Sequence, residues 1–419
     1  MKKFLIAISL LFTLCSCHHN DDPEPDTLAS RTVLVYMAAE NNLASFAEED
    51  LEEMKAGSKS LRNDQNLVIY VDRAGSNKTP YLARIYNGEL VDTLYMSKGI
   101  AADPKVLLHA LKQTKTVYPA QSYGLVLWGH ASGWLISENT VMSSRAYGGS
   151  TGDGSSTSPG RYWMNIPEMA GAISSAMGND KLKFIFGDCC NFGAIEIAYE
   201  LRNITEYVIG SPAEIPDMGA TYDLLVPDMF IENDNFHRQM IDHYYNYYIE
   251  VYQTQQSRYY NRIPGDLNGF SVPLSAVKTS ELENLASSTS RILGTIADKV
   301  SSTGNLNLEN QTYYGIYSGY NHSYDMNAVL KANASTSDFN TWFAAYQKAV
   351  PYCRYSAKWM SISSQLINNM DAFISTEDDC GCISMFFPGL RYTHTSPNWN
   401  KSIQKFQWND VIHWEQYGW

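Results

Sequence analysis

From Arg31 onward, apolar runs of strand length alternate with stretches in which apolar positions recur every three or four residues. Thr32–Ala38 (TVLVYMA) is apolar at nearly every position, the pattern of a strand covered on both faces in a parallel sheet. Leu43–Ala56 then puts Leu43, Phe46, Ala47, Leu51 and Met54 on one side of a helix, with Glu and Asp on the other. Asn66–Asp72 (NLVIYVD) reads as a second strand, and Tyr81–Ile85 and Leu90–Met96 flank Asn87-Gly88, a hairpin signal. Asp103-Pro104 opens a helix running to about Val117, with proline in the first turn, where a missing N–H costs nothing. Further strands are expected at Tyr123–Trp128, Lys181–Phe186 and Tyr207–Gly210, and helices at Asn165–Met177 and Ala194–Leu201. The Gly- and Ser-rich stretch Ser143–Gly160 reads as an exposed loop.

Past about Asn235 the pattern changes. A Tyr-rich helix is expected at Phe236–Gln256, a strand at Gly269–Val272, a long amphipathic helix at Leu274–Val300 and a strand at Cys382–Pro388. No repeat of fixed period is present. The whole predicts an α/β fold: a mostly parallel sheet flanked by helices on both faces, with a C-terminal α/β extension. Residues 31–235 form the expected first domain, built on that sheet, and 236–419 the C-terminal α/β region. Pattern leaves open whether the latter is a separate domain or continues the first sheet.

The N-terminus reads differently. Lys2 and Lys3 precede an apolar stretch, Phe4–Leu14, of signal-peptide length and too short for a stop-transfer helix. It ends in Leu14-Cys15-Ser16-Cys17, which resembles a bacterial lipobox, so residues 1–16 would be removed and Cys17 acylated. Residues 17–30 are a polar tether, too poor in apolar side chains to pack. A lipid anchor at Cys17 implies an outer-membrane lipoprotein. Asp21, Asp22 and Glu24, just beyond the anchor, favour the outward face over the periplasmic one.

Composition narrows function only slightly. The 419 residues are 44% hydrophobic with a formal charge of -13, which argues against nucleic acid, whose binders need a basic face. The chain is read as a monomer. Of the seven cysteines, five follow the anchor. Cys353, Cys380 and Cys382 allow one disulfide, Cys353 to either of the others, or part of a zinc set, but without a second close Cys/His pair free buried thiols are the expectation. H-E-x-x-H is absent, and Gly148-Gly149-Ser150-Thr151-Gly152 fits G-x-S-x-G but lacks the strand-to-helix setting of a nucleophile elbow.

In open α/β sheets, reactive groups gather beyond the carboxyl ends of the strands. His130 follows the strand Tyr123–Trp128, and Cys190 follows Lys181–Phe186 just before a predicted helix, whose dipole would favour a thiolate. If those strands are neighbours, the two side chains meet at the lip of the sheet. A thiolate beside an imidazole is what acyl transfer to cysteine needs.

Several segments carry a family resemblance. Trp128-Gly129-His130-Ala131-Ser132-Gly133-Trp134 resembles the catalytic-histidine signature of the clostripain family of cysteine peptidases, Trp-x-His-Gly-x-Gly-Trp. Asp188-Cys189-Cys190 and the helix ending Ala198-Tyr199-Glu200-Leu201 are similar to the family's Asp-Ala-Cys and its following helix. Tyr36–Leu43 (YMAAENNL), Ser211–Tyr222 and Gly381–Pro388 resemble three further motifs, in order along the chain.

The resemblance implies a caspase-like fold and hydrolysis of peptide bonds after Arg or Lys. It makes Cys190 the nucleophile, His130 the base, the N–H groups of Ala131 and Cys190 an oxyanion hole, and Asp188 the floor of the pocket for a basic side chain. Cys189 stands where the family has Ala and is expected to pack into the sheet. Ala131 replaces a Gly, and Ala213 and Ile215 replace two acids of the specificity loop, with Glu214 and Asp217 adjacent as substrate-binding candidates. Arg145 and Arg161 are candidate self-cleavage sites. No metal or cofactor is required on this reading, although calcium is possible by family analogy. The rival reading is a surface lipoprotein that binds peptides or glycans without cutting them.

Overall fold

The computed structural model describes residues 28–75, 77–136, 147–252, 267–303, 306–308, 311–317, 320–362, 365–369, 380–395 and 398–417. Cys17, the tether up to residue 27 and Arg145 lie outside them. At the centre is a nine-stranded sheet. Its five parallel strands are β1 (Arg31–Ala39), β2 (Gln65–Arg73), β5 (Tyr123–Trp128), β9 (Leu182–Asp188) and β10 (Thr205–Gly210), ordered β10-β9-β5-β1-β2. The hairpin β3 (Tyr81–Tyr86) and β4 (Glu89–Tyr95) adds two antiparallel strands beside β2. At the other edge, β11 (Leu274–Lys278) and β14 (Tyr352–Arg354) extend the sheet antiparallel from β10. The C-terminal region thus continues the first sheet.

Burial on both faces explains the apolar runs. Every residue of β1 is buried, and successive side chains point to opposite layers. Leu34, Tyr36 and Ala38 join the core beneath helices α2 (Pro104–Val117), α3 (Ile166–Met177) and α4 (Ile195–Leu201). Val33, Val35 and Met37 join the layer packed on α1 (Ala44–Ser58), α5 (Tyr222–Asp228) and α6 (Phe236–Asn246). The helix α2 starts as its sequence directs, with the Asp103 side chain accepting from the Lys105 N–H and Pro104 in the first turn.

Four expectations need correction. Leu274–Lys278 is strand, and the long helix, α7 (Leu282–Thr303), begins only at Leu282. The apolar edge of β10 needed a partner, and this short apolar run supplies it. Gly269–Val272 is not a strand, although Phe270 bridges to Lys358. The Tyr-rich helix turns π-helical over Tyr247–Tyr252, and the end of its predicted span, to Gln256, lies outside the described residues. Fourthly, Tyr147–Thr151 is buried rather than exposed. It forms β7 (Tyr147–Ser150) of a small sheet with β6 (His130–Ala131) and β8 (Tyr162–Met164).

The remaining elements lie in the C-terminal half. They comprise β12 (Tyr313–Tyr317), β13 (Tyr320–Asp325), β15 (Lys358–Ile362), β16 (Gln365–Asn369) and β17 (Ser384–Met385), the last shorter than the predicted Cys382–Pro388 run. Between and after them come α8 (Met326–Asn333), α9 (Thr336–Ala349), α10 (Trp399–Ser402) and α11 (Gln407–Ile412). Met385 of β17 pairs with Tyr324, and Ser384 donates its N–H to Gly193 O at 2.9 Å, fastening this half behind the loop that follows β9. Among the described residues, no helix is long and apolar enough to cross a membrane.

Candidate active site

The strands β5 and β9 are adjacent and parallel, with Trp128 opposite Asp188 in register. Two residues past each member of that pair stand His130 and Cys190. Both line one open cleft of about 370 Å³ at the carboxyl end of the sheet. The backbone turns sharply there: Gly129 has φ 146° and Gly133 φ 71°, and Asn191, next to Cys190, is left-handed at φ 57°. Asparagine tolerates that conformation better than most residues. A Cβ at Gly133 would sit 3.0 Å from Asn191 O, so the two loops approach as closely as they do because position 133 is glycine.

The paired cysteines separate cleanly. Cys189 is fully buried in the layer under α2 to α4, and burial pushes its thiol well up. Cys190 is only partly buried and packs on the opposite layer. Its sulfur receives the Ile215 N–H at 3.4 Å. The expected helix does not begin directly after Cys190. Residues 191–194 intervene, and α4 starts at Ile195, so its dipole contributes little at the sulfur. Ala131 lies in β6 in extended conformation, where alanine loses nothing to glycine. Both residues nominated for the oxyanion hole line the cleft.

Asp188 is 2% exposed and forms part of the cleft floor. Its Oδ2 accepts from Tyr222 Oη at 2.8 Å and Ala220 N at 3.2 Å, and its Oδ1 from Tyr244 Oη at 3.2 Å. Burial raises its pKa to about 6, and these donors pull it back from a larger rise. Gly219 borders it with φ 60°, and a Cβ there would come within 2.9 Å of Oδ2. A second buried acid, Asp50, accepts from Trp128 Nε1 at 2.6 Å just behind the cleft wall, and burial and then the Asp188 charge push its pKa well up. Glu214 and Asp217 both border the cleft, with Asp217 exposed. The sequence reading gave no role to Tyr244, Asp50 or Asn42, whose Oδ1 lies 2.7 Å from His130 Nε2.

Other candidates lie apart from the cleft. Arg161 is exposed, 3.7 Å from Asp153, but its N–H is held by Ser150 O at 2.8 Å. Ser150 of the G-x-S-x-G match is fully buried and donates to Glu40. The five described cysteines are free thiols; Cys380 and Cys382 lie 4.0 Å apart at sulfur. Among the described residues, no group of three His, Cys, Asp or Glu side chains is arranged to hold a metal ion.

Comparison with known proteins fits this geometry. The sequence profile of the Clostripain family matches residues 35–413. Clostripain of Hathewaya histolytica is 26% identical over 194 residues, 41% of this chain but only 36% of that protein's length. A secreted C11 cysteine protease from Bacteroides thetaiotaomicron, solved with an irreversible peptide inhibitor, is 28% identical. It superposes with a TM-score of 0.72, covering 92% of this chain and 99% of that one. An inactive zymogen of a C11 protease from Parabacteroides distasonis shares the fold, with a TM-score of 0.69 at 23% identity over 93% and 99% of the two chains. With a profile spanning most of its length and a fold shared with C11 proteases, the chain belongs to the clostripain family of cysteine peptidases.

Proposed function

We propose that this chain is a cysteine endopeptidase that cuts after Arg or Lys, with Cys190 as nucleophile, His130 as general base and Asp188 as selector of the basic side chain. The observation that carries the reading is the register of β5 and β9, from whose ends His130 and Cys190 both reach one cleft floored by a buried carboxylate. In the reaction, His130 takes the Cys190 proton and the sulfur attacks the carbonyl carbon. The oxyanion is met by the N–H groups of Ala131 and Cys190. His130 then returns the proton to the departing amine, and water releases the acyl group by the same route. Asp188 gives a cationic side chain a charge-assisted partner, and a neutral one faces an unpaired buried charge. Glu214 and Asp217 add negative potential at the cleft edge.

The test is hydrolysis of dye-linked peptides ending in Arg or Lys. Cys190→Ala and His130→Ala should each reduce turnover by at least about 10³-fold. Undiminished hydrolysis by Cys190→Ala, or no hydrolysis of any peptide by the intact chain, would leave the non-catalytic binder as the better reading. We further propose that acyl chains on Cys17 hold the protein at the outer membrane. Cys17→Ala should move it from the detergent to the aqueous phase on Triton X-114 partition, and an unchanged distribution would remove the anchor.

A further inference from the structure

The residues following β1, Glu40-Asn41-Asn42, form a hub. The Asn41 side chain donates to Ala38 O at 2.8 Å and Gly149 O at 2.9 Å and accepts from Leu43 N at 2.8 Å, so both its amide hydrogens and its oxygen are engaged and lock the turn. The Glu40 carboxylate accepts from Gly154 N at 2.6 Å, Gly152 N at 3.2 Å and the Ser150 hydroxyl. The Asn42 N–H is fixed to Ser158 O at 3.0 Å. Asn42 is therefore tied through its neighbour Asn41 to the end of β1, and directly to the connection between β7 and β8, of which β7 pairs with β6, the short strand carrying His130. From that position its Oδ1 stands 2.7 Å from His130 Nε2.

We infer that Asn42 is a positioning residue for catalysis: its amide oxygen accepts the Nε2 proton of His130 and thereby selects the tautomer that reacts. This rests on the reading of His130 as the base. An amide oxygen has lone pairs and no proton to give, so the neutral ring facing it carries hydrogen on Nε2. Nδ1 is then the only basic nitrogen left to take the proton of Cys190, whose bonding pair stays on sulfur. After transfer the ring is a cation, and the same amide oxygen still accepts from Nε2, so the contact survives the step. Because the hub fixes the main chain of residue 42, the ring is oriented before substrate arrives.

The proposal is tested by imidazole ¹⁵N correlation spectra of the intact protein and by kinetics of Asn42→Ala and Asn42→Asp. The wild type should show the proton on Nε2, and Asn42→Ala a mixture of tautomers. Asn42→Ala should lower kcat about 10- to 100-fold with little change in KM. Asn42→Asp should restore much of kcat and move the acid limb of the pH profile up by about one unit, since a carboxylate stabilises the imidazolium. A proton found on Nδ1 in the wild type, or wild-type kcat and pH profile in Asn42→Ala, overturns the role of Asn42. Undiminished activity in His130→Ala instead overturns the dyad reading on which it rests, and the spectra report the tautomer whatever the activity.

Discussion

Two adjacent cysteines of identical chemistry occupy opposite faces of one sheet, and that difference alone decides their reactivity. Cys189 lies in a sealed apolar layer where a thiolate is unfavourable, and Cys190 borders an open cleft. Iodoacetamide should therefore label Cys190 in the native protein and leave Cys189 untouched, as peptide mapping would show. Cys189→Ala should keep kcat/KM within about twofold and cost about 1 kcal/mol of stability. Labelling of Cys189 would undo the assignment. The alternation of side chains along a strand made this choice legible from sequence, because residues one apart face opposite layers. Asp188 allows a sharper test. Its pKa is raised to about 6, so its charge is present above that value and lost as pH falls through it. The ratio of kcat/KM for an Arg peptide to that for a neutral analogue cancels any titration of the dyad. It should fall about tenfold between pH 7 and pH 5; a flat ratio would show that Asp188 does not select the substrate.

At the scale of elements, what could be read in advance was whatever rests on local pattern. The five central strands announce themselves because they are buried on both faces, and the hairpin of β3 and β4 because Asn87 and Gly88 adopt the positive φ values that turn requires. What was lost depends on distant partners. The run Leu274–Lys278 fits a helix as well as a strand until β10 is there to pair with it. Tyr147–Thr151 reads as loop from its glycines, but Gly148 and Gly149 let the backbone press against Ala102 and Trp163, and the Glu40 carbonyl takes the Thr151 amide. Asn42 lies within the Tyr36–Leu43 segment, yet its role is a contact across 88 residues, which no local pattern encodes. The small sheet also bears on maturation. Cutting after Arg161 would break the bond to Tyr162, the first residue of β8, in a segment where Arg161 N is already held by Ser150 O. A protease needs an extended, unpaired strand, so β8 would have to open first. If the chain matures by its own activity, Arg145→Ala should block processing and Arg161→Ala should not, as judged by the N-terminal sequence of the fragments. Cleavage after Arg161 would show that the small sheet opens readily.

For the whole molecule, the buried acids set the sign of the dependence of stability on pH. Burial raises Asp188 and Asp325 to about 6, Asp72 and Glu53 to about 7 and Glu196 to about 8. For each, the folded state holds its proton more tightly than the unfolded chain. The stability it confers is complete below the unfolded pKa and is lost as pH rises through the folded one. The buried histidines His237 and His322 act in the opposite sense. Desolvation lowers both to about 4, so unfolding takes up protons between there and about 6.5, and stability rises with pH across that interval. The two sets oppose each other below about pH 6.5, but above it these histidines are largely neutral in both states, and the acids, joined toward pH 9 by the thiols that burial raises, all act in one direction. The melting temperature should therefore decline from pH 7 to pH 9. Glu196 should account for about 1 kcal/mol of the loss, since its folded pKa falls inside that window. Its Oε1 accepts from Phe386 N at 2.7 Å, while among the described residues its buried Oε2 meets no hydrogen-bond partner, so ionisation there is costly. In Glu196→Gln the decline should be shallower by that amount. The slope is the quantity to compare, because a buried amide carries its own unsatisfied N–H and shifts the absolute melting temperature. An identical slope in wild type and variant would mean that Glu196 is already ionised at pH 7.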